Sequence, residues 1–118
     1  MKRACFAEFL GTAALVFAGT GAIVINDTTR AITHLGVAMT FGLIVMTMIY
    51  TLGDISGAHL NPAVTFAFWR ARRFDGGQVL PYIASQLGGA LLASGLLRAL
   101  FPAHPTLGAT LPAGPAAQ

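Results

Sequence analysis

The sequence predicts an all-α membrane protein with three transmembrane helices and one re-entrant half-helix. Only 9% of its 118 residues are charged, while 55% are apolar. A soluble domain of this size is roughly a quarter charged, so this chain has too few polar groups to cover a surface in water. The apolar residues are gathered in three long segments and one shorter segment, which suits a lipid bilayer as the solvent.

The three long segments have the length that a transmembrane helix requires. They cover residues 4–25, where Glu8 is the one charge, residues 32–52, which carry none, and residues 79–101, where Arg98 lies near the end. About 20 helical residues cross roughly 30 Å of hydrocarbon. Small residues recur within the first and third segments, which favours close packing of these helices in lipid.

The basic residues predict an orientation. Two groups fall on opposite predicted sides: Lys2, Arg3, Arg70, Arg72 and Arg73 on one, and Arg30 and Arg98 on the other. Because loops rich in lysine and arginine stay in the cytoplasm, this bias of five to two predicts a cytoplasmic N-terminus. Residues 102–118, rich in proline, glycine and alanine, are then predicted to form an external loop.

The shorter segment, residues 54–69, is too apolar for an ordinary loop and too short to cross the bilayer. Pro62 suits the first position of a helix, and Asn61 suits the N-cap before it. We therefore predict a helix from Pro62 to about Trp69. It covers roughly 12 Å, less than half of the hydrocarbon thickness.

Such a half-helix directs its free N–H groups and positive dipole end to the middle of the membrane. Asn61 can cap the helix through its side-chain oxygen and offer an amide donor to water. The backbone carbonyls of Ser56, Gly57, Ala58 and His59 form a candidate ladder of acceptors. This arrangement suits single-file water with an electrostatic barrier to protons. A capped turn of the soluble type and an interfacial helix lying on the membrane remain alternatives.

Residues 56–65, Ser-Gly-Ala-His-Leu-Asn-Pro-Ala-Val-Thr, resemble the first signature loop of the aquaporin and glycerol-facilitator family. Residues 7–12 and 86–90 resemble its first and third helices, so the resemblance covers essentially the whole chain. Residues 41–46 and 108–114 look most like the nodulin-like intrinsic proteins and their bacterial relatives. This implies passage of water, glycerol or undissociated metalloid acids, in the plasma or inner membrane of a bacterium.

The resemblance also implies roles for single residues. Asn61, Pro62 and Ala63 match the family's central constriction. Glu8 matches a buried carboxylate that hydrogen-bonds the re-entrant loop, as an intramembrane acid requires. His59 matches a loop histidine whose backbone carbonyl faces the pore.

Three further positions concern the two ends of the pore. Phe41 matches the aromatic position of the outer selectivity filter. Val64 is equivalent to the filter arginine of the family's second signature loop. Asp54 stands where many relatives carry histidine, which puts a carboxylate near the cytoplasmic mouth.

The family fold has six spans and two half-helices arranged as inverted repeats. Residues 1–118 supply one such half-repeat, without the second Asn-Pro-Ala loop and its arginine. We expect, in this order, a piece of a longer protein, a separately encoded second half, or an inverted copy of the chain, which the charge bias disfavours. The expected partners are the lipid bilayer and the second half. The resemblance implies a tetramer of complete pores.

The predicted function is a passive channel for water and small uncharged solutes, and a non-conducting membrane scaffold is the alternative. An enzyme is not expected, because His34, His59 and His104 are scattered and show no metal-ligand spacing. No cofactor or metal is expected. Nucleic-acid binding is disfavoured because no basic stripe with interleaved aromatic residues exists.

Overall fold

A computed structural model describes residues 1–111, and these residues form four α-helices. The helices are α1 (Lys2–Thr29), α2 (Thr33–Ser56), α3 (Pro62–Arg70) and α4 (Gly76–Leu100). No strand occurs within the described residues, so the predicted all-α fold class is confirmed. Residues 112–118 of the predicted external loop lie outside the described part.

Three of the helices, α1, α2 and α4, are long and apolar enough to cross a membrane. Each of these helices extends past its predicted apolar segment at one end or at both ends. The end of α2 shows why: the helix continues past residue 52 until Gly57, whose φ of 84° and N–H bond to the Gly53 carbonyl terminate it. A glycine in the left-handed conformation ends helices because it has no Cβ to clash.

Helix α1 lies between α2 and α4, and α3 packs against α4. Glycines make these contacts close. Gly89 of α4 lies directly on the α1 backbone, where a Cβ would overlap the Phe9 carbonyl oxygen and come within 3.1 Å of Ala13 N. Gly19 of α1 lies under the Phe41 ring of α2. Small residues thus allow the helix approach that packing in lipid requires.

Helix α2 leaves most of its apolar surface uncovered. Its large exposed side chains include Leu35, Met39, Leu43, Met46, Ile49 and Tyr50. In water a continuous apolar face of this kind would drive aggregation, whereas lipid chains solvate it. Together with the three membrane-length helices, this face indicates an integral membrane protein.

Side-chain contacts assign each loop to one end of the molecule. The start of α1 meets the end of α2, where Met1, Arg3 and Asp54 line one small pocket. At the opposite end, residues 101–111 fold back onto α1, and the His104 imidazole lies 3.5 Å from the Asp27 carboxylate.

Candidate functional site

The N-terminus of α3 has the predicted cap. Asn61 is extended (φ −155°, ψ 129°), its Oδ1 accepts a hydrogen bond from Ala63 N at 2.8 Å, and Pro62 occupies the first turn. Nine residues make α3 about 13 Å long, far short of a membrane span. Asn61 is exposed, and no described residue accepts a hydrogen bond from its Nδ2. This amide group is therefore available as a donor.

The loop between α2 and α3 has an unusual backbone. Gly57, Ala58 and Leu60 all have positive φ values, of 84°, 47° and 53°. For residues with a Cβ this left-handed conformation costs about 1 kcal/mol or more and persists only where surrounding contacts impose it. The contacts that impose it come from Glu8.

Glu8 of α1 is fully buried and accepts four hydrogen bonds, from the end of α2, from the loop and from α4. Its Oε1 accepts from Ser56 Oγ (2.7 Å) and His59 N (2.9 Å). Its Oε2 accepts from Leu60 N (2.7 Å) and Gln86 Nε2 (2.7 Å). Four donors satisfy the acceptor capacity of a carboxylate, so the buried charge is compensated without a basic partner.

Gln86 and Thr65 extend this network to the capped end of α3. Gln86 Nε2 also donates to Thr65 Oγ1 at 2.9 Å, and Thr65 Oγ1 donates to the Asn61 carbonyl at 3.2 Å. Thr65 Oγ1 lies 3.1 Å from His59 Nδ1. The Thr65 hydroxyl thus contacts Gln86, His59 and the Asn61 carbonyl at once. The network therefore fixes the position of Asn61.

The His59 ring lies in an aromatic cluster within the loop region. Phe68 stacks on it at 4.9 Å between centroids, and Phe74 and Tyr82 approach at 4.7 and 5.3 Å. Burial lowers the pKa of the His59 imidazole, against an opposing effect of the Glu8 carboxylate. The ring is thus held in place by three aromatic side chains.

One of the four carbonyls predicted to accept hydrogen bonds from water already has a partner within the protein. Tyr82 donates its hydroxyl to the Ser56 carbonyl at 2.9 Å, so this oxygen already has a partner inside the protein. Gly57 is exposed and Ala58 is half-buried. The carbonyl of His59 follows them on the way to Asn61.

The structure groups some predicted site residues and separates others. Val64 is exposed and lines an open groove along α3 with Ala67, Phe68, Ala71 and Arg73. Phe41 lies apart from the Glu8 network: 15 residues separate it from Ser56 within α2, about 22 Å along the helix axis. Asp54 is exposed in the last turn of α2.

Sequence reasoning assigned no role to Gln86 or Thr65. Both are polar residues in apolar helical segments, and both are buried, with exposures of 1% and 0%. An uncompensated polar group within a membrane protein is costly, so such positions point to a buried partner. Among the described residues, no group of three or more His, Cys, Asp or Glu side chains could hold a metal ion.

Comparisons with known proteins agree with this geometry. The major intrinsic protein family matches residues 1–116. Aquaporin NIP1-1 of Oryza sativa subsp. japonica is 53% identical over 110 residues, which is 92% of this chain and 39% of the relative. Nodulin-26 of Glycine max is 46% identical over 110 residues, which is 92% of this chain and 41% of the relative.

Aquaporin NIP3-1 of Arabidopsis thaliana is 48% identical over 95 residues, covering 80% of this chain and 29% of the relative. The chain thus spans about two fifths of the length of these relatives, or less. The family match extends over almost the entire chain and includes the capped half-helix and the Glu8 network. On this basis, the chain belongs to the major intrinsic protein family.

Proposed function

We propose that this chain forms one half of a passive transmembrane pore for water and small uncharged solutes, completed by a second half-repeat. The observation that carries the proposal is the capped N-terminus of α3. Asn61 Oδ1 is held by Ala63 N, which leaves Nδ2 as a fixed donor beside the positive end of a helix too short to span the membrane.

A hydrogen-bond donor can select solutes only if its position is fixed. Asn61 is held through its carbonyl, which accepts from Thr65 N at 3.1 Å and from the Thr65 hydroxyl. Thr65 is held in turn by Gln86, and Gln86 by Glu8. This buried chain of hydrogen bonds supports a pore role because it orders the polar end of a half-helix at membrane depth.

Acceptors complete the solute path in this proposal. The carbonyls of Gly57, Ala58 and His59 lead toward Asn61, whereas the Ser56 carbonyl accepts from Tyr82 and contributes less. Alternating acceptors and donors replace the hydrogen bonds that a water molecule gives up on entry. Asn61, Pro62 and Ala63 would form the central constriction.

Two positions are proposed to shape the two ends of the pore. Phe41 is the filter aromatic, and the contact of its ring with Gly19 limits the orientations open to it. Val64 is the filter-equivalent position of this half, and its exposure on the groove along α3 leaves it free to meet the second half. The second half would supply the remaining filter residues.

The N-terminus is proposed to face the cytoplasm. This proposal is supported by charge: Arg3 and Asp54 line one pocket and Tyr82 is bonded to Ser56, so five of the seven basic residues lie at one end of the molecule. A plasma or inner membrane and a tetramer of complete pores follow from the resemblance. The relatives named above are plant proteins, which gives no support to a bacterial source.

The test begins with the intact mass of the protein made from its native gene, which identifies the molecule that carries the second half. That complete protein is then reconstituted in vesicles, and water permeability is measured by stopped-flow light scattering. Asn61→Asp and Ala63→Trp should each lower permeability severalfold, while Leu35→Ala, on the exposed face of α2, should not. Unchanged permeability with altered assembly would favour a non-conducting scaffold.

A further inference from the structure

The turn between α3 and α4 carries three arginines within four residues. Arg70, Arg72 and Arg73 are all exposed. Within residues 1–111, none of the three lies within 4.0 Å of a carboxylate. Their charges are therefore available to a partner outside the described part of the chain.

The backbone at Arg72 makes this arginine unexpected. Arg72 N donates to the Trp69 carbonyl and Arg73 N to the Phe68 carbonyl, each at 2.9 Å, which is the hydrogen-bond pattern of a Schellman motif. Arg72 occupies its left-handed position with a φ of 57°, where glycine is preferred. This motif fixes the backbone of Arg72 and Arg73 directly after the end of α3.

The surroundings of the turn place it at the membrane surface. Trp69, at the end of α3, is 40% exposed and lies against Gly76 at the start of α4. Tryptophan is enriched at headgroup depth, where its ring meets lipid and its N–H meets water. Since α4 is a membrane-length helix that begins at Gly76, the arginines just before it lie at the same depth.

The charge balance at this end is positive. Lys2 and Arg3 belong to the same end, because Arg3 and Asp54 line one pocket and the end of α2 is bonded to α4 through Ser56 and Tyr82. The exposed carboxylates there are Asp54 and Asp75, against five bases. Arginine binds phosphate oxygens in a bidentate manner, and clustered bases at a membrane surface attract anionic lipids.

We propose that the turn formed by residues 70–73 is a binding surface for the phosphate headgroups of anionic phospholipids. Arg72 and Arg73 are the principal contacts, and Lys2 and Arg3 extend the positive surface to the start of α1. This role goes beyond the proposed pore and depends only on membrane insertion. The proposed ligand of this turn is the phosphate group of a lipid and not free phosphate in solution.

The test uses the complete protein in detergent micelles, titrated with phosphatidylglycerol and, separately, with phosphatidylcholine, with bound lipid counted by native mass spectrometry. Because each base near an anionic surface contributes about a fivefold gain in binding, Arg72→Gln and Arg73→Gln should each weaken phosphatidylglycerol binding about fivefold. Phosphatidylcholine binding should change less than twofold.

Arg30→Gln is the matched control. Arg30 is also an exposed arginine in the left-handed conformation (φ 59°) after a helix, but it lies at the opposite end of the molecule. Equal losses for Arg30→Gln and Arg72→Gln would overturn the proposal, because any arginine would then serve. Displacement of the lipid by millimolar inorganic phosphate would also overturn it, by showing a site for free anions.

Arg72→Gly separates binding from folding. Glycine relieves the left-handed backbone, so the variant should unfold at the same temperature or higher, yet lose phosphatidylglycerol binding as Arg72→Gln does. Retained binding in this variant would contradict the proposal. Permeability of Arg72→Gly and Arg72→Gln in pure phosphatidylcholine vesicles should match that of the parent protein, so this outcome is independent of the pore function.

Discussion

Gln86 Nε2 donates to Glu8 Oε2 at 2.7 Å and thereby joins α4 to α1 across 78 positions of the sequence. The same nitrogen donates to Thr65 Oγ1 on α3. One amide group thus links two membrane-length helices to the half-helix. The position of Asn61 in this structure depends on that junction, which leads to the first two predictions.

Glu8→Gln should destabilise the protein by at least about 2 kcal/mol. A neutral amide replaces one acceptor oxygen by an NH₂ group, which then faces a donor such as Leu60 N. Hydrogen bonds to a charged group contribute about 1.5–3 kcal/mol each, and at least one is lost here. Thermal unfolding in detergent measures the effect. Asp54→Asn is the control, because Asp54 is exposed, and its transition should stay close to that of the parent.

Gln86→Leu should release the capped end of α3 and cost about 2 kcal/mol or more, since two buried acceptors lose their shared donor. Amide hydrogen exchange should accelerate at Leu60 and Thr65. Gln78→Leu is the same substitution at a half-buried position of α4 and should leave these amides protected from hydrogen exchange. Equal exchange in the two variants would show that Gln86 does not position α3.

These two predictions test contacts between residues that lie far apart in the sequence. The Asn61 cap and Pro62 start follow from local rules, so both could be predicted from neighbouring residues. The role of Glu8 came only through family resemblance. The contacts of Gln86 reach Glu8 and Thr65 across 78 and 21 positions, and no local pattern specifies such pairs.

The ends of the helices are likewise difficult to predict from the sequence. Hydropathy placed the end of the second span at residue 52, whereas α2 ends at Ser56. A hydropathy profile reports which residues suit lipid, but the left-handed Gly57 sets where the helix stops. The positive φ values of Ala58 and Leu60 could not be predicted from the sequence either, because hydrogen bonds to the distant Glu8 carboxylate hold this loop.

Gly89→Ala should destabilise the α1–α4 contact by about 1–3 kcal/mol, because its methyl group would collide with the Phe9 carbonyl of α1. Backbone cannot yield as a flexible side chain does, so the helices must separate. Gly95→Ala, on the same helix, meets no atom within 4 Å and should be neutral or stabilising by up to about 1 kcal/mol. Unfolding by denaturing detergent, followed by circular dichroism, compares the two variants.

His104→Ala should loosen residues 101–111 by about 1 kcal/mol or more without affecting the Asn61 region. His104 Nδ1 accepts from Leu107 N at 3.0 Å, so its Nε2 carries the proton that points toward Asp27 Oδ2, 3.5 Å away. Removing the ring leaves the half-buried Leu107 N–H without its acceptor. Hydrogen exchange at Leu107 should quicken in His104→Ala and stay unchanged in His34→Ala, an exposed histidine at the start of α2. Faster exchange at Leu60 in His104→Ala would mean that the two ends of the molecule are coupled, contrary to the separation of their hydrogen-bond networks in this structure.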